Sequence, residues 1–214
     1  VGSPDGDFGL YDRQTVADFE KDKERDFDYY RIYALADWGV IRTGGEFLYN
    51  FDEKRNSGMV GYNALLPIHL SVDNNVLPYI SVGVWQLEEK KLFQIHEIAA
   101  EEPNNTVTKA GELVVKYLKD LAYNDIVIVH ADASTSARNT IDDQKLSFID
   151  KFCDVLTKAG FKVNLSIPKK NPSVSMSCEF VNKLLFDGRI LVNRDCKKSL
   201  LDYLNSKRDA NGGM

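Results

Sequence analysis

The hydrophobic period of this chain changes near Val107, and that change constrains the fold more than any other feature. Upstream, apolar residues alternate at two-residue steps, the signature of strands; downstream they recur at three and four, the signature of helices. Ile68-His69-Leu70-Ser71-Val72 is β-rich and stops at Asp73-Asn74-Asn75. Pro78 opens a second run over 79–87 in which Ile80, Val82 and Val84 share a face, and the charged turn Glu88-Glu89-Lys90-Lys91 leads to a third over 92–98. Three antiparallel strands joined by short turns account for this pattern. Val107, Ala110, Val114, Tyr117, Leu118 and Leu121 then line one face of a helix. The four β-branched residues Ile126-Val127-Ile128-Val129 follow. An unbroken apolar run of this kind predicts a strand covered on both faces, hence central in its sheet.

The remaining elements alternate. Thr140 and Asp143 have the spacing of a capping box for a helix with Leu146, Ile149, Phe152, Cys153 and Leu156 on its face and Gly160 as its stop. A strand over 161–167 comes next, then a helix carrying Phe180, Val181, Leu184 and Leu185 that ends near Gly188. A short strand over 189–193 and a helix around 200–204 close the chain. Residues 32–36 and 45–51 read as short strands upstream, and residues 1–31, polar and dense in charge, as an arm or surface helix. The order β-β-β-α-β-α-β-α-β-α predicts an α/β domain over 32–214, a mixed central sheet flanked by helices.

Composition narrows the function classes. The 214 residues suffice for one domain, and 43% hydrophobic content supports a sizeable core. No run approaches the ~18 apolar residues of a membrane helix, so no membrane span is expected. Residues 1–9 have no apolar run, so no secretory signal is expected. Three cysteines without C-x-x-C spacing argue against zinc binding and a disulfide framework, and fit a reducing compartment. A net charge of -5 argues against a protein that coats nucleic acid, yet permits a nucleic-acid enzyme built around carboxylates with local basic clusters. Lys169-Lys170 and Lys197-Lys198 are such clusters. His69, His96 and His130 form no helical i, i+4 pair, and no H-E-x-x-H, G-x-S-x-G or phosphate-binding loop is present.

In α/β sheets, ligands gather at strand ends where the connection changes direction. Asp73 closes the first strand of the meander and Asp132 closes the 126–129 strand. If these strands are neighbours, the two carboxylates face one crevice, repel, and raise each other's pKa until a divalent cation resolves the conflict. Oxygen ligands suit Mg²⁺ or Mn²⁺, and two such ions can serve phosphodiester hydrolysis. An aspartate at a strand end also serves as a turn or cap residue. Asp37, in Asp37-Trp38-Gly39, is a further acidic candidate.

Four segments resemble the nuclease domain of phage large terminase subunits. Asp73-Asn74-Asn75-Val76-Leu77-Pro78 is similar to a D-x-N-x-x-P segment, and Ala131-Asp132-Ala133-Ser134 to the second acidic motif. Gly44-Gly45-Glu46-Phe47-Leu48-Tyr49-Asn50-Phe51 and Lys170-Asn171-Pro172-Ser173-Val174 resemble family segments in the same order. The resemblance implies a ribonuclease-H-like fold and a two-metal (Mg²⁺ or Mn²⁺) endonuclease that cuts concatemeric double-stranded viral DNA in the cytoplasm of a bacterial host. It implies as partners the terminase small subunit, the portal and an ATPase motor, which this chain lacks, with residues 1–31 as the inter-domain arm. It implies Asp73 and Asp132 as catalytic metal ligands, with the third at Asp209 or beyond Met214, because the late H-x-x-D context is missing. Lys169, Lys170, Lys197 and Lys198 are the expected phosphate contacts. Two alternatives stand beside this reading: another ribonuclease-H-like enzyme such as a resolvase or transposase core, and a non-catalytic phage assembly module.

Overall fold

Alternating apolar side chains bury one face of each strand of the meander, and that face decides the layering. The structure, a computed structural model, describes residues 45–73, 79–136 and 146–207, with Gln14, Thr15, Ala17, Asp18, Glu20 and Lys21. These last six are helical, and Lys21 pairs with Asp18 at 3.2 Å.

Seven strands form a single sheet: β1 (Ser57–Gly58), β2 (Ile68–Asp73), β3 (Tyr79–Glu88), β4 (Lys91–Glu101), β5 (Val127–His130), β6 (Val163–Ser166) and β7 (Ile190–Asn193). Their spatial order is β1-β7-β4-β3-β2-β5-β6. The meander β2–β3–β4 is antiparallel, whereas β5 pairs parallel with β2 and β6, and β7 parallel with β4 and β1. The sheet is therefore mixed, as the element order predicts. The helices are α1 (Glu53–Asn56), α2 (Val107–Asp120), α3 (Phe148–Lys158), α4 (Val174–Phe186) and α5 (Lys197–Asn205). None of the described helices is long and apolar enough to cross a membrane.

One face of the sheet carries Ile68, Leu70, Val72, Ile80, Val82, Val84, Val127 and Val129, all buried against Ala110, Val114 and Leu118 of α2 and Ile149, Phe152 and Leu156 of α3. Each such side chain contributes roughly 1.5–3 kcal/mol on leaving water. A second, smaller core joins Phe51, Leu184, Leu185, Ile190, Val192 and Leu200, with Trp85 and Leu92 packed against it. It binds α4 and α5 to the β4–β7 side of the sheet. Tyr123, buried at the base of the main core, bridges two strands: its hydroxyl accepts from Ile68 N at 3.1 Å and donates to Ile126 O at 2.6 Å.

Three local expectations change. Residues 45–51 are not a strand but a single bridge, Glu46 to Lys207, followed by a turn. Asn182 organises that turn, its Oδ1 accepting from Asn50 N and its amide donating to Phe47 O. The 126–129 run is not central: β5 lies one strand from the sheet edge, with Val127 and Val129 buried, Ile128 half-buried and His130 exposed. Its continuous hydrophobicity overstates its burial. The capping box of α3 is Ser147 with Asp150, and Leu146 precedes the helix. Thr140 and Asp143 lie outside the described residues, as do 32–36 and Asp37. Gly160, at φ +97°, does stop α3.

Helices α2 and α3 touch through Gly111. A Cβ there would lie 2.9 Å from Val155 Cγ1, inside van der Waals contact. Gly111→Ala should therefore push the helices apart and cost ~1–3 kcal/mol in urea unfolding. Adding Val155→Ala should recover part of that loss, and no recovery would contradict the packing described.

Candidate metal centre on the open sheet face

The side chains that alternate with the core residues point to the other face. On β2 these are His69, Ser71 and Asp73, half-buried or exposed; on β5 they are Ile128 and His130. Helices α4 and α5 cover this face only on the β4–β7 side, so among the described residues the β2–β5–β6 part is open.

The parallel register of β2 and β5 pairs Ser71 with His130. Two residues further along each chain stand Asp73 and Asp132, both exposed. Neighbouring strands lie about 4.8 Å apart, so the pairing brings the two sequence-identified aspartates to adjacent strand ends. Asp73 is also paired across β3 with Ser81.

Asp132 is held in one orientation. It caps the 3₁₀ turn Ala133–Ser136, its Oδ1 accepting from Ser134 N at 2.8 Å, Ser134 Oγ at 2.6 Å and Thr135 N at 3.1 Å. The cap reading and the ligand reading of this residue are thus compatible, because all three bonds fall on Oδ1 and none on Oδ2. The Ser134 hydroxyl holds the carboxyl below its ordinary pKa, the backbone N–H groups of Ser134 and Thr135 add to this, and partial burial opposes it. The expected upward shift from mutual repulsion is therefore not what governs Asp132. Local hydrogen bonds dominate and keep it ionised.

The basic candidates divide. Lys169 and Lys170 sit on the exposed loop between β6 and α4, whose Asn171 Oδ1 accepts from Ala133 N at 2.7 Å, so the loop lies against the Asp132 turn. Lys197 is exposed at the start of α5. Lys198 is committed within the fold: its ammonium pairs with Glu101 and lies 4.6 Å over the Tyr79 ring. Asp209 lies outside the described residues. Among those described, no group of three acidic, His or Cys side chains is arranged to hold a metal.

Sequence reasoning missed several residues on this face. His69 Nδ1 and His130 Nε2 lie 2.9 Å apart with stacked rings, a pair formed across strands and invisible to a search for helical spacing. Burial lowers both pKa values, and for His69 the neighbouring His130 adds to this. Glu97 of β4 accepts from Lys198 N and Ser199 N and so caps α5, whose N-cap residue Cys196 supplies no side-chain cap. Asp202 accepts from Tyr79 Oη at 3.3 Å, and burial raises its carboxyl pKa.

The metal-ligand chemistry fits these residues as far as they are described: an ionised carboxylate whose hydrogen bonds from Ser134 and Thr135 all fall on one oxygen, at a strand end next to that of a second carboxylate. The fold has known counterparts. The large terminase of a thermophilic bacteriophage superposes with a TM-score of 0.56 at 19% identity over 96% of this chain. The P22 large terminase nuclease domain superposes with a TM-score of 0.56 at 13% identity, covering 78% of this chain and 81% of that domain. The chain has the fold of a terminase nuclease domain. That fold is ribonuclease-H-like, as the motif resemblance implies. The chain spans about half the length of the thermophilic phage terminase, 47% of it. No protein-family model matches the sequence, and no curated protein does.

Ser134→Ala should raise the Asp132 pKa, read by NMR titration of its side-chain carboxyl carbon. A depressed folded pKa contributes stability above the unfolded value that is lost as pH falls through the folded one. The Ser134→Ala deficit should therefore be present at neutral pH and shrink on acidification through that range; a deficit independent of pH would contradict the assignment.

Proposed function

We propose that this chain is the metal-dependent endonuclease module of a phage large terminase, cutting concatemeric double-stranded DNA during genome packaging. The observation that supports the reading is the β2–β5 register, which pairs Ser71 with His130, two residues before Asp73 and Asp132, on an open face of a terminase-nuclease fold. Residues 32–214 would form this module, with 1–31 as the arm to an ATPase motor. The small subunit and portal would be assembly partners, in the cytoplasm of a bacterial host.

Asp73 and Asp132 would hold Mg²⁺ or Mn²⁺, with Asp209 as the third ligand proposed from the sequence. Such ions, when bound, activate water and stabilise the leaving oxygen of a phosphodiester. The protein's part is to hold ligands and substrate. Ser134 and Thr135 fix the Asp132 carboxylate through Oδ1. Lys169, Lys170 and Lys197 would hold DNA phosphates beside it, an interaction that carries no base information and so predicts weak sequence preference. Lys198, proposed with them from the sequence, has its ammonium bound to Glu101 and is the weaker phosphate contact.

Supercoiled plasmid with Mn²⁺ provides the test. Asp73→Asn and Asp132→Asn should each lower the cleavage rate by more than the ~10–100-fold that outer-shell partners cost, with far-UV circular dichroism unchanged. Undiminished cutting by either variant would sink the assignment. Binding in a salt series separates the lysines. Lys170→Ala should flatten the slope of log affinity against log salt by ~0.9, one phosphate contact, and Lys198→Ala should change it less.

A further inference from the structure

The 3₁₀ turn after β5 begins with three consecutive backbone N–H groups, and two side chains divide them. Asp132 takes those of Ser134 and Thr135; the first, from Ala133, goes to Asn171, 38 residues further along the chain. Asn171 lies in the loop joining β6 to α4, flanked by Pro172 and preceded by Pro168-Lys169-Lys170. Proline fixes its own φ and biases the residue before it to an extended backbone, so Pro172 restricts the backbone at Asn171. The loop is anchored at both ends: Ser166 O accepts from Ala131 N on the β5 side, and Ser173 caps α4 through Met176 N. Between these anchors, the side-chain amide of Asn171 ties the loop to the turn that orients Asp132.

We infer that Asn171 is a positioning residue: its side-chain oxygen locks the lysine-bearing loop to the Asp132 turn, so that one rigid unit presents the metal-binding carboxylate and the phosphate-holding cations together. This inference rests on the nuclease reading above for its purpose, but on the Ala133–Asn171 contact for its geometry. The contact takes the Ala133 N–H and leaves those of Ser134 and Thr135 to Asp132 Oδ1. Without Asn171 the turn keeps its own cap but loses its tether to the loop, and the carboxylate and the two lysines move independently.

The test measures the intact chain and its Asn171→Ala and Asn171→Asp variants in three ways. Amide hydrogen exchange should quicken about tenfold or more at Ala133, Ser134 and Thr135 in Asn171→Ala, with Val127 and Val129 in β5 unaffected. Asn171→Asp, which keeps an acceptor oxygen at the same reach, should restore slow exchange at Ala133. Mn²⁺ affinity, measured by electron paramagnetic resonance, should weaken ~10–100-fold in Asn171→Ala, the range for a residue that orients a ligand, and plasmid cleavage should fall with it. Unchanged exchange in Asn171→Ala, or quickened exchange with unchanged Mn²⁺ affinity, overturns the inference. Wild-type protein that binds Mn²⁺ but leaves plasmid intact defeats the nuclease reading alone, and the Mn²⁺ affinities of the variants then decide the role of Asn171. Wild-type protein that binds no Mn²⁺ defeats both.

Discussion

Parallel pairing of β2 with β5 is the contact on which both the core and the candidate site depend. It runs from Ile68 with Val127 to Ser71 with His130, and along it Ile68, Leu70, Val127 and Val129 are completely buried under α2 and α3. A slip of β5 by one residue would turn Val127 and Val129 towards water and bring Ile128 and His130 into the core. At roughly 1.5–3 kcal/mol for each large apolar side chain, such a slip costs a large part of the total stability of an ordinary domain. The placement of Asp73 and Asp132 at neighbouring strand ends is therefore inherited from hydrophobic packing on the opposite face. No interaction between the carboxylates is needed to create it.

On the open face, residues do two jobs at once. Asp132 terminates a strand by capping a turn, and the cap's hydrogen bonds also keep the carboxylate ionised. Glu97 makes a similar economy, capping α5 from the middle of β4 and so fixing that helix on the sheet. Strand-end acids of this kind look like ordinary turn residues in a sequence because they are turn residues.

Much of the architecture was legible before the structure. The change of period at Val107 separated the meander from the alternating half, and the faces of α2 and α3 follow their 3- and 4-residue spacings. The two strand-end aspartates were identifiable, but their adjacency was not, since it depends on β5 joining the β2 edge of the meander. Purely local pattern failed at 45–51, where the run around Phe47 and Phe51 is apolar because it packs against α4 and the second core, with no partner strand beyond one bridge. It also overstated the burial of β5: Ile128 is half-buried on the open face. The His69–His130 stack, the Glu97 cap and the Asn171 tether join residues 38 to 102 positions apart, and no periodicity encodes such contacts.

Tyr123 gives the β2–β5 pairing a fixed origin. Its hydroxyl takes the N–H of Ile68 and gives its proton to the carbonyl of Ile126, at the ends of the strands farthest from Asp73 and Asp132. Burial raises its pKa, so the phenol keeps the proton it donates across the neutral range. Both strands are thereby measured from one atom, whose contacts lie five residues before Asp73 on one chain segment and six before Asp132 on the other. A ruler of this sort works only while both strands stay free of insertions between the phenol and the carboxylates. Length changes in this fold should therefore be tolerated in the helices and loops that leave the sheet, and excluded from the few residues between Tyr123's two contacts and the aspartates.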